Sequence, residues 1–289
     1  KCMTPLNQNA YVSSMLSNDE VFLMATKEQW KNVIGRVAFL NCDPLFHGLD
    51  DQWGVLPAPP SWLTGHLLRR DCVLAPIPAA DYARNADELV LVPEIGICSK
   101  GEVGSVLVFG DRPVKDMKSI ALPTDSMTSV ALLRYILAQE NLAPTTELMG
   151  PDLDTMLGQC DGALLIGDRA LEGAKEHPQL VQMDLGEAWL QRTNKPMVFG
   201  VFAARKDTPV EDVKAAQQAL LHRLELFEND PAERQSVIEW SMSRSDLEYE
   251  RLNRYFGEVF NRLDGEHKQG LEQFLVDACK LQEGSSFAW

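Results

Sequence analysis

From Gly35 onward the chain alternates short apolar runs with stretches of helical spacing, and that alternation restricts it to a layered α/β fold. The runs 36–40, 72–77, 89–92, 104–109, 119–122, 162–166 and 197–204 have strand length and turn-forming flanks. Between them, 60–70, 128–140, 152–159, 169–176 and 187–193 carry apolar residues at helical spacing. Strands alternating with helices predict βαβ units and a largely parallel sheet. Beyond the stretch "FAARKD" the pattern changes. Residues 209–282 read as about four amphipathic helices with no convincing strand, Val213, Ala216, Leu220 and Leu224 sharing one face.

A chain of 289 residues is long for one compact unit, so two lobes are expected. The polar, proline-bearing segment 110–118 and the long apolar run 197–204 are the candidate crossings between them. The expected division is a discontinuous first lobe of 35–114 plus 200–289, carrying the C-terminal helices, and a second lobe of 115–199. A cleft lies between the two. Residues 1–34 stand apart as an N-terminal extension without a readable role, and Met24 is a plausible native start. Cys2 invites a lipoprotein reading, but no apolar stretch precedes it.

The formal net charge of −15 argues against a nucleic-acid backbone or an anionic membrane as partner. A small anion remains compatible, because backbone amides at a helix start form a local positive site even on an acidic protein. Six scattered cysteines without a CxxC pair read as reduced thiols of a cytoplasmic protein. Five histidines without an HxxxH or HExxH arrangement give no support for a metal. There is no run of 18 apolar residues. The tail helices either cover the first lobe or form a homodimer contact, and the sequence leaves both readings open.

In parallel α/β sheets ligands bind beyond the carboxyl ends of the strands, and three such ends carry unusual chemistry. Asn41-Cys42-Asp43-Pro44 follows the first strand, Thr124-Asp125-Ser126-Met127-Thr128-Ser129 follows 119–122, and Gly167-Asp168 follows 162–166. Four hydroxyls opening a helix form either an anion pocket or a simple cap by Ser126 or Thr128. Asn41 reads as a turn residue before Asp-Pro as readily as a functional amide. Asp168 reads best as an N-cap for "RALEGAKE", and Ser105 inside its strand is unremarkable. No GxGxxG, P-loop, catalytic triad or paired-carboxylate signature is present. Pattern alone reaches a cleft that binds a small anion.

The blocks "RVAFLNCDPLFHGL", "PIPAADYARNADELVLVPEIGI", "GEVGSVLVFGDRPV", "IALPTDSMTSVALLRYIL", "PDLDTMLGQCDGALLIGDRAL" and "DLGEAWLQRTNKPMVFGVFAARKD" resemble, in order and spacing, the MqnA family. These are the chorismate dehydratases of the futalosine route to menaquinone. The likeness spans about residues 35–206. It implies a two-lobed, type II periplasmic-binding-protein-like fold used as a cytoplasmic enzyme, with no metal and no organic cofactor. The implied reaction takes chorismate to 3-[(1-carboxyvinyl)oxy]benzoate and water, the substrate's own enolpyruvyl carboxylate acting as base. By the same resemblance Asn41 and Ser105 are the active-site residues, Ser126, Thr128 and Ser129 bind a substrate carboxylate, and Asp168 shapes the cleft. Two departures stand out: Met127 replaces an Arg common in relatives, and Arg70-Asp71-Cys72-Val73 replaces a "GDLD" block. Two other classes share the fold: a solute-binding or sensor protein for a small cyclic carboxylate, and a sister enzyme acting later on a dihydroxynaphthoate precursor.

Overall fold

Strand β1 (Val33–Val37) begins and ends three residues earlier than the apolar run 36–40 predicts. The chain turns because Leu40–Cys42 close a 3-10 turn and Asp43–Phe46 follow as one helical turn, with Pro44 where no backbone N–H is required. The apolar residues left beyond the strand still pack: Leu40 is fully buried and Phe39 lies against the core. A computed structural model of the chain describes residues 28–282 and 286–289. The expected extension at 1–23, the start at Met24 and Cys2 lie outside the described residues. At its other end the expected extension 1–34 overlaps the fold itself, which begins by Gln29. Gln29–Asn32 form a 3-10 turn, Lys31 pairs with Asp212 at 3.3 Å, and Ile34 is a fully buried member of β1.

The remaining strands are β2 (Gly54–Ala58), β3 (Ala75–Pro78), β4 (Leu89–Ser99), β5 (Val106–Gly110), β6 (Ser119–Pro123), β7 (Thr145–Met149), β8 (Gly162–Ile166), β9 (Val181–Asp184), β10 (Met197–Arg205) and β11 (Phe260–Leu263). One sheet has the order β11-β4-β10-β3, and the parallel pair β1-β2 joins it through the Ile34–Leu74 bridge. The other has the order β7-β6-β8-β5-β9. Both are mixed rather than largely parallel. β4 and β10 run antiparallel to each other, and β5 runs antiparallel to both of its neighbours. The chain leaves the first sheet at the end of β4 and re-enters it along β10, so these two long strands run in opposite directions, and hydrophobic runs do not encode direction.

Strand β5 belongs to the second sheet, so the chain leaves the first sheet at Lys100–Ser105 rather than at 110–118. It returns between Thr193 and Met197, where Trp189 Nε1 donates to the Pro196 carbonyl at 3.0 Å. Side chains of β5 alternate as a two-sided strand must: Val106 and Val108 join the main core, Leu107 and Phe109 a second cluster with Met156 and Leu165. The four tail helices are Val210–Asn229, Pro231–Met242, Tyr249–Glu258 and Gly265–Asp277. Val210–Asn229 packs against β4 and Gly265–Asp277 against β10 and β11, while Pro231–Met242 packs against Val210–Asn229, Tyr249–Glu258 and the Asp43–Phe46 turn. A strand, β11, interrupts them where none was expected. Like β2, β7 and β9, it is short and carries too few buried apolar residues to announce itself. Among the described residues no helix is long and apolar enough to cross a membrane.

Candidate active site

A cavity between the two sheets is lined by Asn41, Ser105, Ser126, Thr128 and Ser129, five of the six residues singled out from sequence. Apolar walls come from both sheets, among them Phe39, Ile97, Ile166 and Phe199. None of the lining residues carries a charge. Three helices of eight or more residues open onto it: Pro60–Leu68 through Pro60, Met127–Gln139 through its first turn, and Gly167–Glu176 through Gly167. Each helix start presents partial positive charge, which favours an anion, although Pro60 has no N–H to donate and the Gly167 N–H already bonds the Ser105 carbonyl at 2.7 Å.

Asn41 sits within the 3-10 turn four residues past β1, at 9% exposure. Its side-chain Oδ1 is buried without a partner among the described residues. Its backbone carbonyl accepts from Asn261 Nδ2 at 3.2 Å, and the same amide donates to the Gly96 carbonyl at 3.1 Å. Asp43, two residues on, is fully buried and anchors the turn. It accepts from Arg36 at 2.7 Å and from Ser241 Oγ at 2.6 Å, and it pairs with Arg244. Burial pushes its carboxyl up, opposed by Ser241 and the two guanidinium groups. The adjacent Cys42 thiol is pushed up to about 12 by burial, which leaves it an inert core residue.

Ser105 ends the outgoing crossing, and Asp184 fixes that crossing by accepting from the backbone N–H groups of Val103, at 3.0 Å, and Gly104, at 2.8 Å. The Ser105 hydroxyl receives a hydrogen bond from the Tyr255 hydroxyl at 3.0 Å. Across the cavity, Ser126 occupies the N-cap position of its helix without capping it. Its hydroxyl donates to Ser129 Oγ at 2.8 Å. Thr128 Oγ1 accepts from the Ala80 N–H at 3.1 Å, so it caps a helix of the opposite sheet's layer. Neither side chain performs the simple capping role that the sequence allowed. Met127 packs against the core and is absent from the lining.

Asp168 stands outside the lining, and it is not the N-cap favoured from sequence, because the helix begins at Gly167. Its carboxylate accepts the Leu40 N–H at 3.0 Å and so holds the turn that carries Asn41. Burial pushes its carboxyl up to about 6, helped by Asp43 and Glu172 and opposed by the Leu40 N–H and Arg244. Sequence reading missed Tyr255 and Asn261. Tyr255 sits on a helix face with Leu252 and Phe256 and reads as core, so no local signal marked it. Among the described residues no group of three or more His, Cys, Asp or Glu side chains converges to hold a metal ion.

Residues 33–279 match the family model described as menaquinone biosynthesis. The chorismate dehydratase of Thermus thermophilus is 34% identical over 204 residues, covering 65% of this chain and 74% of that protein. Among solved structures, an Archaeoglobus fulgidus protein matches with a TM-score of 0.68 at 18% identity, over 86% of this chain and 97% of the other. A Candida albicans protein with the generic periplasmic-binding-protein fold matches with 0.61 at 13% identity, over 86% and 89%. The alkanesulfonate-binding protein SsuA of Xanthomonas axonopodis pv. citri matches with 0.61 at 16% identity, over 89% and 95%. At these identities the structures speak to fold, and the fold is of the periplasmic-binding-protein kind.

Proposed function

The chain belongs to the menaquinone-biosynthesis family, and from that membership we propose that it is a chorismate dehydratase, a carbon–oxygen lyase releasing water and 3-[(1-carboxyvinyl)oxy]benzoate. One observation carries the reading at the site: a buried, uncharged cavity combines an unpartnered amide oxygen, four hydroxyls and three helix starts. That combination suits a ring acid with two carboxylates and a hydroxyl.

Chorismate loses the ring hydroxyl together with the hydrogen on the neighbouring carbon that bears the enolpyruvyl ether. The ring becomes aromatic, so the step is strongly downhill and the protein's task is to hold one conformer. No lining residue is a base. An amide is far too weak to take a proton from carbon; in this reading the substrate's own enolpyruvyl carboxylate takes it, as the family resemblance implies. In this reading Asn41 Oδ1 accepts from the substrate, and Ser105 donates to the departing oxygen. Ser126, Ser129 and Thr128 receive a carboxylate with the first N–H groups of their helix. Asp168 acts one step back, through Leu40.

The cavity volume is about 50 Å³. A dry cavity of roughly 150 Å³ holds benzene, so a substituted ring enters only when the two sheets move apart. We therefore read the chain as two hinged lobes, divided at Lys100–Ser105 and at Thr193–Met197. Hydrogen bonds that close the gap among the described residues include Leu40 to Asp168, Ala80 to Thr128, Ser61 Oγ to the Asp125 carbonyl at 3.2 Å, and Lys175 Nζ to the Asp246 carbonyl at 2.5 Å. A cytoplasmic location is part of this reading, supported by five unpaired cysteines among the described residues. The test is direct. Purified protein with chorismate and EDTA should develop the absorbance of the aromatic product. Chorismate binding without turnover would leave a solute-binding or sensor protein instead.

A further inference from the structure

The helix Tyr249–Glu258 and strand β11 belong to the tail, about 150 residues beyond the crossing that carries Ser105, yet they reach the Ser105 hydroxyl and the backbone carbonyl of Asn41. Tyr255 is fully buried, and its hydroxyl meets Ser105 Oγ at 3.0 Å. The surroundings hold that phenol in place. Arg251 lies over its ring at 5.6 Å, and Arg251 is itself paired with Glu258 at 2.9 Å. Burial pushes the phenol above its ordinary value, so it stays a donor throughout the working range.

A serine hydroxyl has one proton and two lone pairs. Since Tyr255 donates, one lone pair of Ser105 is taken and the serine's own proton must go elsewhere. Among the described residues that proton has only the Val103 carbonyl, at 3.4 Å. Hydroxyl hydrogen bonds normally measure about 2.7–2.8 Å, so this contact is weak. Ser105 also lines the cavity, and a ligand oxygen there would win its proton easily.

We propose that Tyr255 is a positioning residue for the dehydration: by donating to Ser105 Oγ it turns the serine proton into the cavity, toward the departing substrate oxygen. This rests on the chorismate reading given above. Donation into Ser105 also polarises its O–H, because linked hydrogen bonds strengthen one another. No covalent step involves Tyr255, which keeps its proton throughout. The tail thereby becomes part of the active site rather than only a cover for the first sheet.

The experiment compares Tyr255→Phe with wild type for chorismate turnover, rates being taken below the melting temperature of each. Outer partners that orient metal ligands are worth roughly tenfold to a hundredfold in activity, and an effect of similar size is expected for a partner that orients a hydroxyl. The phenylalanine variant should lose that much in kcat, with KM within about twofold. In a Ser105→Ala background the same change should cost nothing further, since the residue it orients is gone. A purely structural tyrosine would lower both backgrounds by the same factor, and that result overturns the proposal. So does near-wild-type turnover by Tyr255→Phe. Should Tyr255→Phe fold poorly, Tyr255→His keeps a ring N–H donor, and it must exceed Tyr255→Leu in kcat or the proposal falls. Wild-type protein inert toward chorismate would instead remove the dehydratase reading beneath it.

Discussion

Asp168 accepts the backbone N–H of Leu40 at 3.0 Å although 128 residues separate them, so a carboxylate beside the second sheet sets the turn that presents Asn41. Burial raises this carboxyl from 3.8 to about 6. Between those values the folded chain binds more protons at this site than the unfolded chain. Its contribution to stability therefore falls as pH rises through that window and is constant above it. Asp168→Asn removes the buried charge while keeping an acceptor for Leu40. Its melting temperature relative to wild type should rise from pH 4 to pH 7. Wild-type kcat/KM should fall on acidification through about pH 6, as protonation weakens the Leu40 bond, and the variant should lack that limb. Identical pH profiles for the two proteins would refute the coupling.

Asn41→Ala tests the amide. Its Oδ1 is buried without a partner, and an unmade hydrogen bond at a buried acceptor costs about 1–3 kcal/mol. Removing it should leave the melting temperature unchanged or raised. Turnover should drop by roughly a hundredfold to a thousandfold, the usual effect of deleting a group aimed at developing charge. A variant of near-normal rate would mean that the amide does not meet the substrate.

Thr128→Val keeps the side chain's shape and removes the oxygen that accepts the Ala80 N–H. A buried N–H left unpaired costs about 1–3 kcal/mol. Chemical denaturation should report a loss of that size. KM for chorismate should rise severalfold, because the hydroxyl also faces the cavity. Unchanged stability with unchanged KM would place Thr128 outside both roles.

Gly167→Ala tests how closely the two sheets' layers approach at the cavity. Gly167 has φ +60°, and a Cβ there would lie 2.7 Å from ring carbons of Phe39. The left-handed backbone costs an alanine roughly 1–2 kcal/mol, and displacing a packed ring adds a cost of roughly 1–3 kcal/mol. Stability should fall by at least the first amount, and kcat/KM should fall by about tenfold or more as Phe39 moves in the cavity wall. A variant as stable as wild type would show that the ring and the turn give way freely.

Much of this molecule is written locally. The apolar runs at 119–122 and 162–166 became β6 and β8, and the helical spacings at 60–70, 128–140 and 152–159 became helices within two residues of each end. A period of two or of 3.6 is a property of neighbouring residues, so it survives in the chain whatever surrounds it. The hydroxyl cluster after β6 was legible for the same reason. Ser105 and Asn41 were picked out through family resemblance, since a serine in a strand and an asparagine before Asp-Pro look ordinary by themselves. Tertiary structure alone decided the rest. Strand direction, the sheet that takes up β5, and the partners of Asp168, Thr128, Asn41 and Ser105 all arise between segments roughly 50 to 220 residues apart. Such contacts depend on how layers stack and where burial leaves a polar atom in need of a partner, and no window of neighbouring residues contains that information.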